Sequence, residues 1–259
     1  MNVKRLFGDK KFYAMVLGVA VPIVIQNGIT NFVSLLDNIM VGREGTEQMT
    51  GIAIVNQLLL VVNLAIFGAI SGAGIFGAQF YGCKDHKGVQ HTFRFKLYIC
   101  LALLLLGILL LLFQGDNLIL LYLHGEGQDV ELEATLGYGK QYLLVMLTGL
   151  LPFAVEEIYA STLRECGETK IPMVAGVAAV CVNLVLNYLL IFGKLGFPVL
   201  GVAGAAVATV ISRYVQALIV ILWTHTHAAQ MPFIRGAYRE LKVPVNLAGK
   251  IICKGTPLM

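Results

Sequence analysis

The sequence contains 259 residues, of which 58% are hydrophobic and only 13% are charged. Soluble domains carry about 25% charged residues, so this composition excludes an ordinary water-soluble enzyme or binding module and indicates an integral membrane protein. The formal net charge of +4 is too small to indicate nucleic acid as a partner.

Six apolar stretches are long enough to cross a bilayer, which takes about 20 residues of helix. The first stretch far exceeds the roughly 7–15 apolar residues of a signal peptide, so we predict that it remains as a span. The six lengths predict an all-α integral membrane fold with a six-transmembrane-helix bundle. The spans cover residues 13–41, 51–81, 95–113, 138–163, 172–192 and 202–224.

Basic residues alternate between the predicted loops. The N-terminal segment and the loops after the second, fourth and sixth spans hold most of the loop lysines and arginines. The long third loop holds none, since no lysine or arginine lies between Lys96 and Lys140. Because cytoplasmic loops carry an excess of positive charge, the alternation predicts that the N- and C-termini are both cytoplasmic.

The first predicted span is rich in polar side chains. Pro22 precedes them and should bend or loosen the helix, because proline removes one backbone hydrogen bond. A polar face beside a proline is typical of a helix that lines a cavity and changes shape. At helical periodicity the polar residues form two adjacent stripes, which are Gln26, Thr30 and Asp37 with Val33, and Asn27, Asn31, Ser34 and Asn38.

The fifth predicted span places two carboxamides at the depth of Asp37. Asn183 and Asn187 lie one turn apart in its outer half, and the first and fifth spans run in the same direction. A carboxylate that faces carboxamide oxygens can hold Na+ or share a proton with them. We predict that these three residues form a site for the coupling cation, H+ or Na+. Two alternatives stay open: a structural hydrogen-bond cluster, and an Asp37 that simply lies at the outer interface.

Further polar residues are candidates for the lining of a substrate cavity. Asn56 and Asn63 share a face of the second span, and Arg213 lies near the middle of the sixth span, where it needs a partner or water. Arg213 could contact a substrate or lock two helices together. The adjacent Glu156 and Glu157 are expected to pair with a nearby arginine or to meet water. The predicted lining residues are Gln26, Asn27, Thr30, Asn31, Asn56, Asn63 and Arg213.

Four motifs, in the family's order along the chain, resemble those of the multidrug and toxic compound extrusion (MATE) transporters, and the resemblance covers essentially the whole chain. They are Pro22 and Gln26 followed by DNIMVG at 37–42, the loop LRECGETKIPM at 163–173, NLVLNY at 183–188 with IFG at 191–193, and GVAGAAVAT at 201–209. The resemblance implies the N-terminal lobe of a twelve-helix fold that exports substrates in exchange for H+ or Na+.

The resemblance also bears on single residues. It implies that Asp37 is a cation-coupling residue. Some family members have an aspartate at the position of Asn187, so this chain carries one ionisable group there rather than two. In the loop motif Arg164 agrees with the family pattern, whereas Glu165 and Cys166 depart from it.

Residues 1–240 are predicted to form the six-helix lobe. Residues 241–259 are predicted to form an inter-lobe linker and the start of a truncated seventh helix. The end of this segment, 254–259, is similar to 18–22 in the first span. Such a similarity is typical of an internal repeat in a transporter built from two lobes.

These observations predict a multi-pass antiporter of the plasma (inner) membrane that exports drugs or other organic, often cationic, compounds. Its expected partners are the bilayer, a small organic substrate and a missing C-terminal six-helix lobe, and no cofactor is expected beyond the coupling ion H+ or Na+. The metal prediction is limited to Na+ at Asp37. The alternatives are a flippase for lipid-linked oligosaccharide or polysaccharide, and a non-transporting membrane subunit or fragment. An enzyme is not predicted, because neither HExxH nor GxSxG occurs in the chain.

Overall fold

The computed structural model describes residues 9–42, 45–123, 132–231, 233–239 and 242–255. It leaves out the side chains of nine α1 residues, among them Thr30 and Asp37, and those of the last two residues of α8. All regular elements in these ranges are helical, which confirms the prediction of an all-α fold. The α-helices are α1 (Lys10–Val41), α2 (Thr46–Gly82), α3 (His86–Leu123), α4 (Leu132–Thr148), α5 (Leu150–Glu165), α6 (Lys170–Phe192), α7 (Gly201–Thr226) and α8 (Val245–Gly255).

Four helices, α2, α3, α6 and α7, are each long and apolar enough to cross a membrane. The pair α4 and α5 provides a fifth crossing if the two helices act as one bent span. The first predicted span lies in α1, whose apolar stretch within the described residues is shorter, Val16–Ile29. Each predicted span therefore corresponds to a helix or a helix pair.

The fourth predicted span is broken rather than continuous. Its two helices meet at an angle of 44°. Pro152, in the first turn of α5, has no amide hydrogen to donate to the carbonyl of Thr148. At the break, the carbonyl of Gly149 accepts two hydrogen bonds, one from the Phe153 amide and one from Arg213 Nη1 of α7, each over 3.3 Å.

The third helix begins nine residues earlier than the predicted span. Residues of the predicted second loop, among them Arg94, lie in its first turns, where Arg94 is buried. Arg94 Nε donates to the carbonyl oxygen of Ala237 over 2.7 Å, and Nη2 donates to Gly236 over 2.9 Å. A buried arginine is tolerated here because backbone carbonyls of a distant turn accept its hydrogen bonds.

The helices α6 and α7 form a tightly packed pair. Gly193 ends α6 in the left-handed conformation, with φ of 62°, which glycine adopts without steric cost. A single 3-10 turn, Lys194–Gly196, then leads toward α7. At Gly204 of α7, a β-carbon would lie 2.8 Å from the carbonyl oxygen of Leu190, so only glycine allows this close approach. The pairing turns the asparagines of α6 toward α7.

Two surfaces of the bundle differ in character. Most of the apolar stretch of α3 is exposed, as expected for a helix that faces lipid. The short α8 instead docks onto the bundle, where Ile251 is fully buried beside Ala73 and Phe95. This helix lies in the segment 241–259 that the sequence analysis assigned to a linker and a seventh helix.

Candidate functional site

A cavity of about 330 Å³ lies between α1, α5, α6 and α7. Four of the predicted lining or coupling residues border it: Gln26, Asn27, Asn183 and Arg213. Five further polar residues line it, and the sequence analysis had not assigned them to a cavity. These are Glu156, Glu157, Thr209, Ser212 and Gln216.

A buried chain of hydrogen bonds runs along one wall of this cavity. Asn187 Nδ2 donates to Asn183 Oδ1 over 3.2 Å, and Asn183 Nδ2 donates to Thr209 Oγ1 over 3.3 Å. Thr209 Oγ1 donates in turn to the carbonyl of Ala205 over 3.0 Å. The chain orients both carboxamides, because each of them donates to a defined acceptor.

Thr209 is the member of this chain that sequence reasoning missed as a site residue. It ends a run of small apolar residues at the start of α7, and its hydroxyl is the only polar side-chain group in the motif 201–209. A lone hydroxyl in such a run was the available signal, but the facing partner on α6 follows only from the packing of the two helices.

Asp37 belongs to α1, the helix that packs along α6 on the side of the cavity. Its side chain and that of Thr30 lie outside the described residues. The grouping of Asp37 with Asn183 and Asn187 therefore stays a prediction.

The other α1 residues divide between the cavity and the exterior. Gln26 packs against α6, where its Nε2 lies 2.8 Å from the position that a β-carbon would take at Gly176. Asn27 lines the cavity from an exposed position, whereas Asn31 is exposed and does not border it. Pro22 is half-buried within α1, one turn before Gln26. Proline and the glutamine contact thus lie next to each other at the cavity.

The two asparagines of α2 do not border the cavity, because α2 contributes no residue to its walls. The Asn56 side chain is exposed, and its Oδ1 accepts a hydrogen bond from the Tyr142 hydroxyl of α4 over 3.3 Å. Asn63 lies seven residues further along α2, on the same face, and is half-buried. This cavity therefore does not include Asn56 and Asn63, and their role as lining residues stays a prediction.

Arg213 lies at the cavity and also links two helices, while a contact with a substrate stays a prediction. It borders the cavity, and it donates to the Gly149 carbonyl at the α4–α5 break. Its guanidinium carbon lies 5.1 Å from the centroid of the Phe153 ring, within the range of a cation–π contact. The arginine therefore ties α7 to α5 and leaves its charge at the cavity wall.

The two neighbouring glutamates of α5 have different surroundings. Glu157 pairs with Arg164, with 3.2 Å between Oε2 and Nη2, as expected for one of the two. Glu156 is instead buried, with 3% of its surface exposed, and it lies at the cavity beside Gln216, within reach of a side-chain hydrogen bond. The sequence placed both near the cytoplasmic end of the span and did not separate them.

A second polar cluster lies at the end of α5, away from this cavity. The ammonium group of Lys96 is fully buried and donates to Ser161 Oγ over 3.1 Å, to Thr162 Oγ1 over 3.2 Å and to the Glu165 carboxylate. The carboxylate packs against α2 at Gly74, where a β-carbon would lie 2.6 Å from Oε1. Glu165, which departs from the family motif, is thus the counter-charge of a lysine that sequence analysis placed in a loop.

The MatE family profile matches residues 22–189, which span α1 to α6 and include both asparagines of the buried hydrogen-bond chain. This chain belongs to the MatE family. It is 31% identical over 200 residues to "Probable multidrug resistance protein NorM" of Thermotoga maritima, an alignment that covers 76% of this chain and 41% of the relative. The protein of the same name in Bacillus licheniformis is 30% identical over 209 residues, with coverage of 81% and 45%. The MatE chain therefore spans less than half the length of these curated relatives.

Solved structures of MATE proteins share the fold. "Outward-facing conformation of a multidrug resistance MATE family transporter of the MOP superfamily" superposes with a TM-score of 0.79 at 20% identity, covering 94% of this chain and 51% of that one. "Crystal structure of MATE in the bent conformation" gives 0.76 at 23% identity, with coverage of 94% and 52%. The predicted family resemblance and fold class are confirmed, and the chain corresponds to about half of each solved MATE protein.

Proposed function

We propose that this chain is the N-terminal six-helix lobe of a secondary antiporter that exports drugs or other organic, often cationic, compounds in exchange for H+ or Na+. The observation that carries the proposal is the buried chain from Asn187 through Asn183 to Thr209, which borders a cavity among the membrane helices of a MatE protein. Oriented carboxamide and hydroxyl oxygens are suitable ligands for a hard monovalent cation. This function is transport, not catalysis, and it needs no cofactor beyond the coupling ion.

In this proposal, Asp37 supplies the negative charge of the coupling site. A carboxylate within a membrane helix costs about 2.5–3.5 kcal/mol even on lenient insertion scales. Binding of Na+ or a proton offsets that cost, so the protein has a reason to hold the cation there. A membrane potential contributes about 2.3 kcal/mol per charge per 100 mV, and one exchanged cation can therefore drive export against a gradient.

The first helix then links cation binding to substrate release. Neutralisation of Asp37 changes the hydrogen bonding of α1, and Pro22 provides a point where the helix can bend. The contact of Gln26 with α6 at Gly176 lies one turn from that proline and carries the bend to the cavity wall. Alternating access in two-lobe transporters needs a movable element of this kind.

The remaining assignments follow from the same function. We place the transporter in the plasma (inner) membrane as a multi-pass protein with both termini in the cytoplasm, and its partners are the lipid bilayer, an organic substrate and a C-terminal six-helix lobe. Residues 1–240 form the lobe, and residues 241–259 form the linker and the start of a seventh helix. Asn31 and Asn56 are exposed on α1 and α2, so both are accessible to a substrate between two lobes.

The deciding experiment replaces Asp37 with asparagine in the transporter as its host produces it, together with the second lobe. Efflux of ethidium from membrane vesicles is measured under an imposed Na+ or proton gradient. We expect Asp37→Asn to abolish gradient-driven efflux, while Asp116→Asn, at an exposed pair with Lys140, leaves it unchanged. Cation-driven efflux at the normal rate in Asp37→Asn would refute the assignment.

A flippase for anionic lipid-linked sugars is the competing hypothesis. Its cavity should be rich in cations, because the substrate carries phosphate groups. The cavity of this chain is bordered by two carboxylates, Glu156 and Glu157, and by one guanidinium, Arg213. Because Glu157 is paired with Arg164, the cavity lacks the excess of cations that an anionic lipid-linked sugar would need.

A further inference from the structure

Another cavity, of about 690 Å³, lies where α2 ends, α3 begins and α8 docks onto the bundle. This volume is within the range of small-molecule sites. The described residues that line it include none of those assigned above to cation coupling or substrate binding. The cavity is therefore separate from the site between α1, α5, α6 and α7.

The charged side chains at this cavity carry a positive charge in excess. Lys87 of α3 and Lys250 of α8 border it, and among the described residues neither lysine lies within 4.0 Å of a carboxylate oxygen. One carboxylate, Asp85, also borders it, but its Oδ1 already accepts a hydrogen bond from the Gly88 amide over 3.0 Å. Asp85 thus caps the N-terminus of α3 and compensates the helix dipole.

A buried arginine adds to this positive charge. Arg94 Nη1 lies 3.4 Å from Nδ1 of His91, which also lines the cavity. Because arginine can only donate, Nδ1 accepts and the neutral His91 ring carries its proton on Nε2. The other donors of Arg94 go to the backbone carbonyls of Gly236 and Ala237, so its charge is solvated without being neutralised by a carboxylate of the described chain.

The cavity also has apolar walls and lies at the depth of the lipid headgroups. Phe76 and Phe80, one turn apart on α2, and Leu247 of α8 are each half-buried and line it. The polar sequence CKDHK at 83–87 follows directly after the apolar α2, so this end of the bundle marks the edge of the hydrocarbon region. In the proposed topology it faces the cytoplasm, where the leaflet carries anionic lipids.

We propose that this cavity binds the phosphate of an anionic phospholipid, with Lys87 and Lys250 as its ion-pairing residues. The two phenylalanine rings and Leu247 then contact the glycerol and the upper part of an acyl chain. A free phosphate would gain the ion pairs but not the apolar contacts, and a zwitterionic lipid brings its own ammonium group, which competes with the lysines. The proposal goes beyond the export function and is independent of the coupling ion and the exported compound.

The test is native mass spectrometry of the transporter as its host produces it, in neutral detergent, titrated with phosphatidylglycerol or phosphatidylcholine. We expect phosphatidylglycerol to bind more tightly. The double variant Lys87→Gln/Lys250→Gln should weaken its binding by about tenfold or more, since each lysine near an anionic headgroup contributes a factor of about five. Binding of phosphatidylcholine should stay within about twofold, because that lipid has no net charge for the lysines to pair with.

Two control variants separate the site from surface charge and from misfolding. Lys84→Gln/Lys170→Gln removes the same charge from two exposed lysines outside the described lining, one beside α2 and one at the start of α6, and should keep the affinity for phosphatidylglycerol. Lys87→Arg/Lys250→Arg keeps both charges and should also retain binding. In the unmodified protein, phosphatidylglycerol should slow acetylation of Lys87 and Lys250 while Lys84 reacts at its normal rate, a readout that needs no variant.

Three results would overturn the proposal. The first is an unchanged affinity for phosphatidylglycerol in Lys87→Gln/Lys250→Gln, and the second is an equal loss in Lys84→Gln/Lys170→Gln, which would assign the effect to general surface charge. The third concerns glycerophosphoglycerol, the soluble headgroup without acyl chains, added at the same concentration as the lipid. If it binds as tightly as phosphatidylglycerol, the cavity takes a soluble phosphate and not a lipid.

Discussion

Replacing Glu165 with glutamine tests the buried pair that holds α3, α5 and α2 together. The Lys96 ammonium is fully buried and has three acceptors, of which only the Glu165 carboxylate carries a charge. Glu165→Gln leaves an oxygen acceptor in place but removes the counter-charge. Removing one partner of a buried ion pair costs about 3–5 kcal/mol, because the remaining charge stays desolvated. Ser161 and Thr162 still solvate the ammonium, so we expect a loss at the lower end, about 3 kcal/mol.

A double-mutant cycle separates the ion pair from simple packing. Lys96→Met alone should cost less than Glu165→Gln, because the partly accessible carboxyl can take up a proton. The double variant Lys96→Met/Glu165→Gln should recover at least half of the loss caused by Glu165→Gln, since replacing both members of a buried pair is often close to neutral. The coupling free energy is then about 2 kcal/mol, within the range for residues in contact.

The assay is reversible unfolding of the chain in mixed micelles with increasing denaturing detergent, followed by circular dichroism. The control is Asp116→Asn, which breaks the pair with Lys140 whose side chains are 50% and 52% exposed. An exposed pair of this kind contributes at most about 1 kcal/mol. The reasoning is refuted if Glu165→Gln costs no more than this control, or if the losses of the two single variants simply add.

Three further predictions concern the α6–α7 pair. Gly204→Ala should lower the free energy of unfolding by about 1–3 kcal/mol in the same assay, because the new methyl group meets the backbone of α6. The control is Gly137→Ala, where the new methyl group enters open space and the stability should be unchanged or slightly higher. Gly193→Ala should cost about 1–2 kcal/mol, because alanine is strained at a φ of 62°, and an unchanged midpoint would contradict this. Asn183→Ala removes the buried bonds to α7 and to Asn187, so we expect a loss of about 1–3 kcal/mol and weaker protection by Na+ against thermal unfolding. Equal Na+ protection in both proteins would argue against a cation site there.

The sequence was sufficient to predict the helical class and the approximate spans. A bilayer requires long apolar helices, so composition and length carry that information directly. The same rule began the third span nine residues inside α3, because Arg94 and Lys96 mark a polar end of the apolar stretch when each is considered alone. Their partners, Ala237 and Glu165, lie more than 60 residues away in the chain. The residues next to Arg94 and Lys96 in the sequence contain no information on such distant partners.

The candidate site was predictable to a similar degree. The polar face of α1 and the two asparagines of α6 were found because polar residues are rare in spans. Thr209 was missed because a single threonine is ordinary in a helix, and its meaning depends on facing Asn183 across the close α6–α7 contact. The break at Gly149 was likewise not evident, because it lies in the apolar middle of the span, although Pro152 gave a local reason for it.

The buried charged residues of this lobe show the same dependence on partners that are distant in the sequence. Arg94 and Lys96 are buried and fully provided with acceptors, the first by two carbonyls and the second by a carboxylate and two hydroxyls. The two buried cations of α3 thus depend on acceptors that lie far away in the sequence, and this dependence holds α3 against α5 and the segment after α7.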